Sequence, residues 1–235
     1  VLSLVGLLGL TGCATPPPPS VYQLQAGEPA VSAPRSPRGV AVLLGPIGLP
    51  DYLKHETLVQ RQADGHLQVD SQAHWAGRLQ DNVNSVLLHR LATQLNSSRL
   101  VLHAEREGFR PEVQAIVRID RLDSGPEQPA VLEAQWRLLD AQGEQRTSRI
   151  LRLQELHAKT TVDQVRAQSL LLQQLSEQLA RDIQWTALEV EADAKARAVP
   201  NNKASKGATS KKREEEPKDK PSAAPLRTDM EVFRF

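Results

Sequence analysis

Few side chains in this sequence are set up to do chemistry, and the clearest of them is a thiol. Cys13 is the sole cysteine among 235 residues, so no internal disulfide can form. Six histidines stand at 55, 66, 74, 89, 103 and 157. No two are one helical turn apart, as a helical zinc site requires, and none neighbours Cys13. His89 falls on the polar side of a helical pattern, and His55 and His66 sit in or beside turns, so all three read as solvated. No Gly-x-Ser-x-Gly elbow, phosphate-cradling loop or dinucleotide fingerprint occurs. Asp120 and Asp123, interleaved with Arg118 and Arg121, are expected to form a wet strand edge. Trp75 and Trp136 are expected in the core rather than as a stacking pair for a ligand. A hydrolytic site would need a nucleophile and a base that this inventory does not offer.

The setting of Cys13 is more specific. Val1 to Leu10 is an apolar run, too short for the ~20 residues of a membrane span but suited to the core of a secretory signal. It closes on Leu10-Thr11-Gly12-Cys13, and Ala14-Thr15 and Pro16 to Pro19 follow at once. This pattern resembles the lipobox of bacterial lipoproteins, which implies that residues 1–12 are a signal peptide and that Cys13 is lipidated and becomes the mature N-terminus. With neither Met nor a basic stretch ahead of the run, the true start is expected upstream of Val1. In lipoproteins an Asp directly after the cysteine retains the protein in the inner membrane, so Ala14 implies the outer membrane.

Composition bounds the rest. Of 16 prolines, seven lie between Pro16 and Pro37, four from Pro200 onward and only five between. They bracket one central domain of ordinary size, 39–198, between a linker at 13–38 and a tail at 199–235. Within the linker, 21–24 alternates well enough for an edge strand. The tail is Lys, Glu, Ser, Ala and Pro with almost no large apolar side chain before Met230, so it is expected to be disordered. Its Lys211-Lys212-Arg213 is cancelled by Glu214-Glu215-Glu216. A net charge of +1 argues against nucleic acid as a partner, and an aromatic content of 3% leaves few stacking platforms.

The elements that would position a site follow from periodicity. Val40 to Leu44 reads as a buried strand, after which Gly45-Pro46 to Pro50 turns the chain twice. Asp-Gly at 64–65 between β-prone runs predicts a hairpin. A helix is predicted from about Ala73 to Leu95, capped by Asp70 or Ser71. Its apolar stripe is Trp75, Leu79, Val83, Val86, Leu87, Leu91 and Leu95. Leu100 to His103 is a strand, alternation at 113–119 and 132–138 predicts two more, and Arg149 to Leu156 makes a fourth, the last three antiparallel through Gly125-Pro126 and Gln142-Gly143. A second helix opens on Thr161-Val-Asp-Gln164 and runs to Ala187 or beyond. Val165, Leu172, Leu175, Leu179 and Ile183 form its stripe, and at least one of Leu170 and Leu171 is expected at the surface. The sum is an α+β domain: a mostly antiparallel sheet with two long helices on one face.

The stretch Val42-Leu-Leu-Gly-Pro-Ile-Gly-Leu-Pro-Asp-Tyr-Leu53, then Leu58-Val59-Gln60-Arg61 and Trp75 to Leu79, resembles the PqiC (YmbA) family of transport auxiliary lipoproteins. The likeness continues through Leu132-Glu-Ala-Gln-Trp-Arg-Leu138 and the helix from Val162 to Ile183. The resemblance implies a non-catalytic outer-membrane lipoprotein facing the periplasm, with no cofactor. Its implied partner is an inner-membrane protein with MCE (mammalian cell entry) domains that moves lipid between the two membranes. It also implies a homo-oligomeric ring that docks the tunnel's far end. A structural or scaffolding lipoprotein without a transport role is the competing reading. Within the quoted stretch, Ile47, Leu49, Tyr52 and Leu53 lie in a segment stiffened by Pro46 and Pro50. They either form a preorganised partner contact or cap the end of the sheet.

Overall fold

The structure is a computed structural model, and it describes residues 18–27 and 36–198. The predicted signal peptide with Cys13, part of the linker, and the tail lie outside the described residues.

The sheet is organised around its two longest strands. In chain order the strands are β1 (Ser20–Tyr22), β2 (Val42–Gly48), β3 (Thr57–Arg61), β4 (Leu67–Trp75), β5 (Leu100–Leu102), β6 (Val113–Gly125), β7 (Gln128–Asp140) and β8 (Gln145–Glu155). The helices are α1 (Leu79–Gln94) and α2 (Thr161–Ala198). β6, β7 and β8 make an antiparallel meander, and β3 and β4 form the hairpin expected around Asp64-Gly65. On its other side β6 carries two partners in succession. Its first half pairs with β2, and Ser124 near its end pairs with Gln60 of β3. The sheet therefore divides along β6, with β2 and β5 on one branch and β3, β4 and β1 on the other. The pairings β1/β4, β2/β5 and β2/β6 are parallel, so the sheet is mixed although most of its register is antiparallel.

Both helices bury their predicted stripes in one core shared with the sheet. From α1 these are Leu79, Val83, Val86, Leu87 and Leu91, with Leu95 just beyond it; from α2 they are Val165, Leu172, Leu175, Leu179 and Ile183. Leu171 is buried and Leu170 is at the surface. α2 is capped one residue earlier than expected, by the Thr160 hydroxyl, which accepts from the Asp163 amide at 3.2 Å. Trp136 is fully buried, and its indole N–H donates to Asp182 of α2 at 3.0 Å. Arg149 of β8 closes the same carboxylate at 2.8 Å, which fixes the register of α2 on the sheet.

Two local expectations are corrected. The first helix begins at Leu79, not near Ala73, and neither Asp70 nor Ser71 caps it. Residues 73–75 belong to β4, where β1 pairs alongside them, and Gly77 at φ +104 then breaks the strand. Trp75 is buried as expected, but from a strand. The second correction concerns Gly45-Pro46, where β2 does not turn. It continues to Gly48 through an irregularity in its pairing with β6 between Leu44 and Ile47, with Gly45 at φ +103 and the Gly45–Pro46 bond cis. The reversal comes afterwards, in a short 3-10 turn at Asp51–Leu53.

Candidate functional site

Among the described residues no group of three His, Cys, Asp or Glu side chains is placed to hold a metal ion. The polar investment lies elsewhere, around the corner formed by Gly45 to Leu53. Leu49 and Leu53 point into the core, at 8% and 5% exposure, while Ile47 and Tyr52 are half-buried against it and Pro46 is exposed. The structure thus divides the four predicted contact residues into two that anchor the corner and two that keep an accessible edge.

Three attachments hold the backbone and ring of this corner. The Gln114 amide of β6 donates to the Gly45 carbonyl at 3.0 Å, and the Gln80 amide of α1 donates to the Ile47 carbonyl at 3.1 Å. The third is the Tyr52 hydroxyl, which donates to Asp123 at 2.8 Å and accepts from the Leu122 amide at 3.4 Å.

Asp123 is the hub. It is fully buried, and its two oxygens also accept from Arg61 Nε and Nη2 at 3.0 and 2.7 Å and from Arg121 Nε at 2.9 Å. A carboxylate out of water is tolerable only with such partners. Burial alone would push its pKa up, but the hydrogen bonds from Arg61, Tyr52 and Arg121 outweigh burial and hold the carboxyl below its usual range. Burial, reinforced by the charge and hydrogen bond of Asp123, pushes the Tyr52 phenol well up. The hydrogen bond to Asp123 raises the Arg61 guanidinium further still.

Asp123 also corrects the expectation of a wet strand edge. Asp120 does lie at the surface, paired with Arg118 at 2.7 Å. Beyond it the pairing of β6 with β7 slips twice, between Ile119 and Arg121 and between Asp123 and Gly125. These bulges break the alternation, so residues 122–125 are all buried. Gly125 was the sequence signal for it. A Cβ there would sit 1.9 Å from the Arg61 carbonyl oxygen, so the end of β3 can lie this close to β6 only beside a glycine. Next to the hub, Ser124 joins Gln164 and Gln168 at 3.3 and 2.9 Å, tying the first turns of α2 to the same strand end.

His55, His66 and His89 are exposed, as expected, and Trp75 and Trp136 are core residues. Among the described residues no helix is long and apolar enough to cross a membrane.

Known proteins bear on this arrangement at the level of fold and family. No curated protein sequence matches the chain. The crystal structure of an uncharacterized protein superposes with a TM-score of 0.57 at 19% identity, covering 71% of this chain and 99% of that one. A DUF330-family protein from Xanthomonas campestris superposes with a TM-score of 0.57 at 16% identity, covering 75% and 99%. At such identities the likeness shows the fold alone. Residues 22–180 match the family described as ABC-type transport auxiliary lipoprotein component, a span that holds the Gly45 to Leu53 corner, the Asp123 hub and most of α2. The chain therefore belongs to the ABC-type transport auxiliary lipoproteins, the YmbA/PqiC family.

Proposed function

We propose that this chain is a non-catalytic auxiliary subunit of an MCE-type lipid transport system, anchored through Cys13 in the outer membrane and facing the periplasm. In this reading it docks the inner-membrane tunnel protein through the corner at Gly45 to Leu53, and a ring of copies presents one such corner per subunit. Family membership supports the transport-auxiliary role.

The observation that carries the site is the corner itself. Its backbone is held from β6 and α1, and its aromatic ring is held by a buried carboxylate. An apolar edge fixed this firmly loses little conformational entropy when a partner covers it. Leu49 and Leu53 serve as its footing, and Pro46, Ile47 and the ring of Tyr52 serve as its contact edge.

The test is Ile47→Asp in the full-length, membrane-attached protein. Because Ile47 is half-buried at the rim, the variant should fold and fractionate with membranes while losing co-purification with the MCE-domain protein. A folded Ile47→Asp protein that still co-purifies removes this corner from the interface. Failure of the wild-type protein to capture an MCE-domain protein removes the transport assignment.

A further inference from the structure

α2 outruns the core that it packs on. Thr186 is its last fully buried side chain, yet the helix continues to Ala198. Along this overhang Ala187, Leu188, Val190 and Ala194, with Val40 opposite, line a groove of about 640 Å³. That volume falls within the ~300–1,000 Å³ of small-molecule sites, and the stretch from Gln184 to Ala194 gives it about 15 Å of length. Leu188 is 63% exposed in it, beside the apolar surface of Ala187, Val190 and Ala194.

The floor and the rim together select an occupant. The lining is mainly aliphatic, with Gln184, Glu112 and Glu191 as its polar members beside Arg38, so an extended peptide would find few partners there for its backbone N–H and C=O groups. At the rim, Glu112 is neutralised by Arg99 at 2.9 Å and Glu191 by Lys195 at 2.6 Å. Arg38 is exposed and makes no ion pair among the described residues. The uncompensated charge at the mouth is therefore positive.

We propose that the groove holds a single-chain anionic lipid, with its acyl chain along Ala187 to Ala194 and its headgroup at Arg38. This site is separate from the docking corner and stands or falls independently of it.

The experiment uses the full chain carrying Cys13→Ser, purified without detergent and titrated with doxyl-stearate below its micelle concentration. Trp185 is 65% exposed one turn before Leu188, whereas Trp75 and Trp136 are buried, so a spin label in the groove should quench Trp185. Expected results are saturable quenching at one lipid per chain and a loss of affinity of about tenfold or more in Leu188→Asp. The affinity for the acid should also weaken in Arg38→Glu, and the uncharged methyl ester should bind the unmodified groove less tightly than the acid. The exposure of Leu188 keeps its replacement clear of the core, and a circular-dichroism melt verifies that. Absence of saturable binding, or equal binding by folded Leu188→Asp, overturns the site. An ester that binds as tightly as the acid overturns the anionic class. A dimer in sedimentation that Leu188→Asp dissolves gives the groove to a second copy and overturns the lipid.

Discussion

Replacing Asp123 with asparagine tests whether a buried charge holds the corner in place. Asparagine keeps the size of the side chain and one oxygen to accept from Tyr52, but it leaves Arg61 and Arg121 facing no counter-charge. Removing one partner of a buried pair costs ~3–5 kcal/mol. Here the two arginine side chains keep 23% and 22% of their surface in water and can partly rehydrate, which favours the lower end, about 3 kcal/mol. For a domain of this size, 1 kcal/mol moves the melting temperature by ~2–4 °C, so Asp123→Asn should melt about 6–12 °C lower at pH 7. The pH dependence has a definite sign. The folded-state pKa of Asp123 is depressed, so its contribution is complete above the unfolded value of ~3.9 and is lost as pH falls through the folded value beneath it. Asparagine does not titrate, so the gap between wild type and variant should be constant near neutrality and narrow in acid. Circular-dichroism melts from pH 7 down to pH 3 measure both quantities. A loss under about 1 kcal/mol at pH 7, or a gap unchanged in acid, would refute a hub held by charge.

Two further outcomes follow from the same structure and a third from the sequence. Tyr52→Phe should cost ~1.5–3 kcal/mol, the range for a hydrogen bond to a charged group. It should also delete a phenolate absorbance step lying above the usual ~10 of tyrosine. Because burial and Asp123 raise the Tyr52 pKa, its neutral form stabilises the fold below pH ~10, and that support drains away in stronger alkali. Gly125→Ala places a Cβ 1.9 Å from the Arg61 carbonyl oxygen and must displace β3; a loss of ~3 kcal/mol or more in urea unfolding is expected, and a midpoint equal to wild type would contradict the close approach. Lipidation of Cys13 is testable in the same way: at ~0.8 kcal/mol per buried CH₂, a lipidated Cys13 predicts that Cys13→Ser leaves the membrane fraction, and continued labelling of that variant with palmitate would count against it.

Much of the fold is legible in the chain because its signals are local. The alternation at 113–119 and 132–138 and the stripe from Val165 to Ile183 each repeat with the period of one element, and each buries the residues it marks. Leu170 is at the surface, as expected of at least one of the pair, whereas Leu171, outside the predicted stripe, is fully buried. Trp75 shows the limit of such signals. Its four-residue spacing to Leu79 and Val83 extends a helical stripe backwards, while its two-residue spacing to Ala73 suits a strand equally well. Pairing with β1, more than fifty residues away in the chain, settles it as strand.

The sequence alone was enough to expect a lipid-anchored α+β domain of this family, with a proline-stiffened apolar segment after its first long strand. Which residues of that segment face inward, and what holds it, were decided by tertiary structure. Leu49 and Leu53 are as apolar as Ile47, and only the packing of β2 against the helices tells footing from edge. Asp123 sits in a run of alternating charges that has every local mark of a solvated strand. It is buried where two bulges interrupt the register of β6 and where β3 comes in close beside Gly125. Arg121 is a neighbour in the chain, but the other two side-chain partners of Asp123, Tyr52 and Arg61, lie 71 and 62 residues away. Periodicity is written by neighbours in the chain, whereas a buried charge depends on counter-charges that only the folded topology brings within reach.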